Sequence, residues 1–551
     1  MKKQRIAIIG GGVSGLAVAY NLLKKATKFD CEIDIYEAND YLGGNADTAL
    51  VDLGEIKDPL LADTPSNERH LIRKADLGVD DLNMDTYKRI VRIMDEIGFK
   101  DYRPLEDTAC FFTLNGSKVL TADGELQHGT SDPKIAISDE LASTYSKFMA
   151  AAATAIKDEE QKEKYKRYTV GRYVDEYIKQ ASGEDRVMIE EMRDCLLYPR
   201  INAMYFADDV TGPAGMPLRA VMRYYIIQEG FTNNDKYPPK PKRNYFLNGA
   251  QAWIDKLAEY LLDKYDGRLK IIRNAQASIR VEKTQVTISV PPRPGALGLP
   301  EPQSYHKVVM TCHADDAMRA IKQGMSQGLI NILDKVRYTN SIAVAHTFAG
   351  VLAPDRNAWR TYNVLIREGQ AIHPYSMTYV MNRHRNDAAV WYDETNAHGT
   401  PVMKTTEFNK AGMPQYFVTL NPCVPIPDEY VLKTPKGEAR KPAGYFKEFK
   451  NGEEMLPGWR QLGGDEDEGQ PVIGWFKHNV LNFDCLDAQE QLADLQGGDY
   501  MNLYFAGGWT RGAGLHEECW EMAEYLVEVL TQHEALLQGK HRHNEQQETT
   551  C

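Results

Sequence analysis

The residues best able to do chemistry stand at the two ends of this chain. Near the start, Arg5-Ile-Ala-Ile-Ile-Gly-Gly-Gly-Val-Ser-Gly-Leu16 runs from a short apolar strand into glycines at G-x-G-x-x-G spacing. Gly10 permits a tight turn, Gly12 lets backbone N–H groups approach a diphosphate, and Gly15 lets the next helix pack close to the strand. That helix begins near Val13 and Ser14 and directs its positive end at the phosphate. A second strand, Cys31 to Tyr36, ends on Glu37, 22 residues after Gly15, where an acid that grips a ribose belongs. The spacing predicts a bound dinucleotide. Near the other end, Asn502 to Gly507 reads as a strand, Gly508 to Gly514 as a loop, and Leu515 to Leu530 as an amphipathic helix. Trp509, His516 and Glu517 in this second unit are the candidate catalytic residues, because a histidine there could move a proton. His516 and Glu517 equally suit a structural first turn, where an acid complements the helix dipole.

The elements around these residues must form more than one domain, since 551 residues exceed a single core. A net charge of −13 argues against nucleic acid as a partner. The sequence has no apolar run long enough for a spanning helix, and the apolar stretch after Met1-Lys-Lys is too short for a signal peptide. Eight scattered cysteines without a C-x-x-C pair support neither a disulfide framework nor a metal site, and a reducing cytoplasm is the expected setting. Neither G-x-S-x-G nor H-E-x-x-H occurs, which removes support for hydrolase or metalloprotease chemistry.

Glu37-Ala38 followed by Gly43-Gly44-Asn45 resembles the E-A-x-x-x-x-G-G-R signature of FAD enzymes of the amine oxidase and phytoene desaturase superfamily. Asn45 stands where many members carry Arg, which loses the charge-assisted part of a phosphate contact. The resemblance implies noncovalent FAD, with the second glycine turn along the diphosphate and ribityl chain. It also implies a backbone contact to adenine near Ala277, a strand ending near Thr311, and Gly507, Gly508, Trp509, Gly514, Leu515 and His516 beside the flavin ring. Over about 500 of 551 residues the chain resembles a group of NAD/FAD-binding, amine-oxidase-like proteins often associated with fatty-acid-modifying enzymes. The segments that carry this are Ala75 to Val79, Tyr87 to Gly98, Tyr245 to Gly249, Val308 to Ala314, Val418 to Pro422 and Phe505 to Glu517.

The fold implied is α/β: a Rossmann-type FAD-binding domain interleaved with an α+β substrate domain. The FAD domain would comprise residues 1–80, 245–315 and 470–535, the substrate domain 81–244 (helical) and 316–469, and 536–551 a flexible tail. Leu269 to Ser278 with Thr284 to Val290 reads as a hairpin, 433–470 as an insertion, and Pro199 as a helix end followed by Tyr198, Arg200, Asn202 and Tyr205 as a polar-aromatic cluster. His346 lies on an apolar run and reads as a core residue, while Tyr362, Asn363 and Asn382 border the pocket on the resemblance alone. The expected function is FAD-dependent hydride abstraction from a small or lipid-like apolar substrate, as desaturase, oxidase or double-bond isomerase. Molecular oxygen or another acceptor would complete turnover, and a homodimer is compatible with the family. The alternatives are a flavin amine oxidase giving imine and peroxide, and a non-catalytic flavoprotein.

Overall fold

The computed structural model describes residues 3–25, 30–55, 70–123, 134–204, 211–230, 243–292, 300–366, 376–385, 413–438 and 468–548, with 127–128, 207, 389–390, 394–395 and 401–402. Five parallel strands form one sheet. In chain order they are β1 (Gln4–Ile9), β2 (Cys31–Tyr36), β3 (Leu269–Ile272), β4 (Lys307–Met310) and β5 (Leu503–Phe505), and in space they run β3-β2-β1-β4-β5. The sheet is therefore assembled from three distant stretches of chain. Ile6 and Ile8 of β1 enter one apolar core while Ala7 and Ile9 enter another. A strand buried on both faces needs an unbroken apolar run, which is what Ile-Ala-Ile-Ile supplies. Helix α1 (Val13–Lys24) covers one face together with the helices Ala250–Lys264 and His516–Glu548. Tyr20 and Trp520 pack their rings 5.2 Å apart where α1 meets the last of these.

A second sheet of eight strands runs in the order 473–479, 338–346, 417–420, 377–380, 362–365, 108–112, 119–123 and 127–128. Tyr362 stands beside Ala109 and Tyr379, and Val364 beside Phe111 and Met377, so these six residues share one face. Cys110, Phe112, Leu365 and Val380 on the opposite face join a separate buried cluster. Helices Asp139–Lys157, Val170–Lys179 and Leu218–Gln228 form a further layer, and the first of them is capped by the Ser138 hydroxyl with Asp139 and Glu140 in its first turn.

The structure departs from the sequence reading in five places. Leu269–Ile272 joins the parallel sheet, and the hairpin is instead Ser278–Val281 with Val286–Ser289. The stretch 81–244 is not purely helical, because Thr108–Phe112 and Val119–Asp123 enter the eight-stranded sheet. Ile473–Asn479 also pairs there, against Tyr338–His346, although the expected boundary assigned it to the dinucleotide domain. Pro199 does not end its helix. A π-helical turn, Arg193–Leu197, precedes the short helix Tyr198–Asn202 and puts Pro199 in its first turn, where a missing N–H costs little. The C-terminal helix continues to Glu548 through the expected tail. Tyr205, the loop 293–299 and residues 439–467 of the expected insertion lie outside the described residues.

His346 is fully buried, and its Nδ1 accepts the Phe348 N–H at 3.0 Å, which leaves the proton on Nε2 to donate to Thr419 Oγ1 at 2.6 Å. Burial pushes its pKa down to about 3, against about 6.5 unfolded. The native state therefore resists protonation, so this residue's contribution is complete above pH ~6.5 and is lost as pH falls toward the native value. Urea unfolding should show stability falling between pH 6.5 and 5, and His346→Gln should remove about one proton from that slope. An unchanged slope would contradict the neutral assignment.

The glycines of the first turn separate by what surrounds them. A methyl on Gly15 would come within 2.0 Å of the Gly10 carbonyl oxygen, whereas one on Gly12 would meet nothing closer than 3.8 Å. Gly15→Ala should thus cost about 1–3 kcal/mol or more in chemical denaturation. Gly12→Ala should stay within about 1 kcal/mol of the parent. Equal losses would overturn this division.

Candidate dinucleotide and substrate cavity

The turn after β1 is tied down on every side except the one that faces a cavity. Gly10 has φ +114°, and its N–H donates to the Tyr36 carbonyl at 2.8 Å. Thr311 donates its hydroxyl to the carbonyls of Ile9 and Gly10, 2.9 Å from each. The Glu37 carboxylate accepts the N–H of Gly11 at 2.7 Å and of Asn39 at 2.8 Å, and desolvation raises its pKa. The second glycine turn docks on the first through Gly43 N–H to Gly11 carbonyl, 3.1 Å, with φ +116° at Gly43 and +60° at Gly44. Gly12 and Gly44 face each other across the remaining gap. Helix α1 begins there with Gly12 as its cap, no side-chain capping bond and no acid in its first turn. Its first N–H groups remain available to an anion.

The cavity has a volume of about 1070 Å³ and extends from these turns to the eight-stranded sheet. Its wall includes Gly10, Gly12, Val13, Ser14, Glu37, Ala38, Gly43, Gly44, Asn45, Ala277, Thr311, Gly508, Trp509, Gly514, Leu515 and His516 from the sequence reading. Gly15 and Gly507 stand behind it: a methyl on Gly507 would come within 2.4 Å of the Cys312 carbonyl oxygen. Burial lowers the His516 pKa to about 4, so its imidazole is neutral at pH 7, and its ring packs 5.4 Å from that of Trp253.

Glu517 requires a correction. It lies off the cavity and caps the helix Lys88–Glu96, accepting the N–H of Arg89 at 3.0 Å and of Ile90 at 3.2 Å, with the Arg89 guanidinium at 3.1 Å. One residue along a helix turns a side chain by about 100°, so His516 and Glu517 cannot face the same side. Glu518, 1% exposed, instead organises the loop: its Oε2 accepts the N–H groups of Ala513, Gly514 and Leu515 at 2.9, 3.1 and 3.3 Å. Its other oxygen accepts Arg223 Nε at 2.7 Å. Asn363 and Asn382 spend their amides on buried backbone groups and do not line the cavity, whereas Tyr362 does.

The far end of the cavity, where the sequence reading placed Tyr362 and left Arg200 in a polar-aromatic cluster without a role, is ionic. Arg200 meets Glu229 at 2.9 Å, Arg243 pairs with Glu229 and lies 3.9 Å from Asp107, and Asp81 accepts the Tyr362 hydroxyl and the Gln228 amide. Asp80 is 6% exposed on the wall, with His384 Nε2 2.8 Å behind its Oδ2. His384 is fully buried among the rings of Tyr245, Tyr362 and Tyr379. At the opposite end His313, Asp315 and Asp316 converge, but Lys477 and Arg319 already pair with the two acids. Among the described residues no helix is long and apolar enough to cross a membrane, and the seven described cysteines are all free.

A family model described as an NAD(P)-binding Rossmann-like domain matches residues 8–67, the segment holding both glycine turns. No curated protein sequence is significantly similar to the chain. Solved structures are similar over almost its whole length. Cyclohexylamine oxidase from Brevibacterium oxydans shares 13% identity at a TM-score of 0.53, with 96% of this chain and 99% of that one covered. A putrescine oxidase variant matches at 13% and 0.52 over the same shares. A CLA-producing fatty acid isomerase from P. acnes matches at 14% and 0.52, covering 95% and 98%. The chain therefore has the two-part α/β fold shared by these oxidases and this isomerase, the fold that the paired glycine turns implied.

Proposed function

We propose that this chain is an FAD-dependent oxidoreductase. The supporting observation is one continuous cavity whose wall carries both glycine turns at one end and a tyrosine-rich ionic cluster at the other. Glu37, Ala38 and Ala277 would hold the adenosine part, Gly12 and Gly44 the diphosphate, and Trp509, Leu515 and His516 the ring. Bound FAD would supply a two-electron acceptor for a hydride from substrate carbon. The absence of any side-chain cap on α1, set against the hydroxyl-capped helix after Ser138, is what an incoming diphosphate requires.

The substrate end carries an apolar face from Ala109, Phe111, Val364 and Met377, and polar groups from Asp80, Asp81, Arg243 and Tyr362. This supports a lipid-like substrate with a polar head more than a pure hydrocarbon. Asp80 is the carboxylate we assign as proton acceptor, because it stands on the wall beside this apolar face. Neutral His516 would serve as a hydrogen-bond partner rather than as an acid. A second reading, amine oxidation, draws on charge: Asp80, Asp81, Asp107 and Glu229 outnumber Arg200 and Arg243 on the wall by two. Molecular oxygen or another acceptor would complete turnover in either case.

Anaerobic mixing of the yellow holoprotein with linoleic acid and with cyclohexylamine separates the two readings. Bleaching by linoleic acid supports the first, and bleaching by the amine alone sinks it. Whichever probe bleaches the flavin, Asp80→Asn should retain FAD and slow bleaching about 100-fold or more. Gly12→Val should purify without flavin, and full flavin content in that variant would refute the diphosphate placement.

A further inference from the structure

The hydrogen bonds at the ionic end of the cavity run in one direction. The strand Asp81–Asn83 pairs with Arg243–Phe246 and meets the end of the helix Leu218–Gln228. Asn83 Nδ2 donates to the Gln228 carbonyl at 3.0 Å, and the Thr86 hydroxyl donates to the Ile227 carbonyl. Tyr87, which opens the helix capped by Glu517, donates its hydroxyl to Gln228 Oε1. Gln228 Nε2 donates in turn to Asp81 Oδ1 at 3.0 Å, and the Tyr362 hydroxyl donates to Asp81 Oδ2. Tyr87, Gln228, Asp81 and Tyr362 all stand on the cavity wall.

The chemistry of the members fixes the sense of this chain. A carboxylate accepts, so the Gln228 amide must turn its NH2 to Asp81 and its oxygen to Tyr87, whose hydroxyl must then donate. Both phenol protons and one amide proton are thereby turned inward. What the chain leaves for a ligand is lone pairs. Asp81 offers about four acceptor positions and spends two of them on Gln228 and Tyr362. The other ions here are engaged with one another. Arg200 and Arg243 both pair with Glu229, and the Nε and Nη2 of Arg243 are buried. Asp107 and Glu229 are each 5% exposed and Asp80 6%, whereas Asp81 is half-buried. Asp81 is thus the most accessible of the four acids.

We infer that Asp81 determines specificity in this cavity by gripping a hydrogen-bond-donating head, a hydroxyl or an ammonium group. The apolar body of the substrate would lie along Ala109, Phe111, Val364 and Met377. An ether or ester head would set lone pair against lone pair and leave the desolvated Asp81 without a partner. A fatty acid meets the requirement only with its carboxyl protonated. Gln228 and Tyr87 are positioning residues that hold Asp81 in this orientation. The assignment rests on the reading of this cavity as the substrate site, and it narrows the polar head of that reading to a donor.

The test is calorimetric titration of the full chain, with and without FAD, using 1-octanol, octylamine and 1-methoxyoctane, which share one apolar body. 1-Octanol should bind at least about tenfold more tightly than 1-methoxyoctane, which accepts a hydrogen bond but has none to give. Octylamine binding above 1-octanol would identify the head as ammonium, and the reverse order as hydroxyl; either order supports a donor. Asp81→Asn should bring 1-octanol and 1-methoxyoctane within about twofold of each other. Tyr362→Phe, which frees Asp81 Oδ2, should keep or widen the preference for 1-octanol and keeps the test alive if the aspartate variant misfolds. Equal affinity for 1-octanol and 1-methoxyoctane, a preference that survives Asp81→Asn, or one that Tyr362→Phe abolishes would overturn the assignment. A chain that takes up no FAD yet still prefers 1-octanol would sink the flavin reading and leave the role of Asp81 standing.

Discussion

The helix α1 begins between two glycine turns, and among the described residues no side chain caps it. Four N–H groups at a helix start normally find a hydroxyl, a carboxylate or water, and the helix after Ser138 shows how readily this chain provides one. Here Gly12 and Gly44 hold the space open, while Gly10, Thr311 and Glu37 are engaged in fixing the backbone around it. The positive end of α1 is thus kept both rigid and bare. The rest of the fold follows from that arrangement. Three separate chain segments contribute parallel strands to one sheet, and the last of them returns the loop 508–514 to the opposite side of the same cavity.

That return is held by a buried carboxylate together with the Gln489 amide, which donates to the carbonyls of Trp509 and Gly512 and accepts the Gly512 N–H. Glu518 accepts three consecutive loop N–H groups with one oxygen and grips Arg223 with the other, which ties the loop to the helix Leu218–Gln228. Burial raises the Glu518 pKa, and the neighbouring guanidinium and N–H groups oppose that shift.

How much of this could be read from the sequence depended on distance along the chain. The glycine turns were legible because positive φ and close approach impose residue types at fixed spacing, and Glu37 because it ends the next strand of the same unit. Lining positions from Gly10 to Asn45 and from Gly508 to His516 followed. Most of the ionic end of the cavity was hidden, with Tyr362 alone placed at its border. Asp80 precedes the strand Asp81–Asn83 and His384 ends the short helix after Met377–Val380, in a different sheet and far along the chain, and Arg243, Glu229 and Asp107 come from three further segments. No local pattern announces such a cluster. Among the local readings that failed, a π turn absorbed Pro199, and helical rotation sent Glu517 to cap Lys88–Glu96 instead of facing the cavity.

The central claim is that the cavity between the facing glycine turns holds FAD without a covalent bond. Acid precipitation of freshly purified protein, followed by quantification of flavin in the supernatant and pellet, tests it most directly. The account predicts about one FAD per chain, all of it in the supernatant. A chain that carries no flavin and takes none up on incubation with FAD, or one whose flavin stays with the pellet, would contradict it.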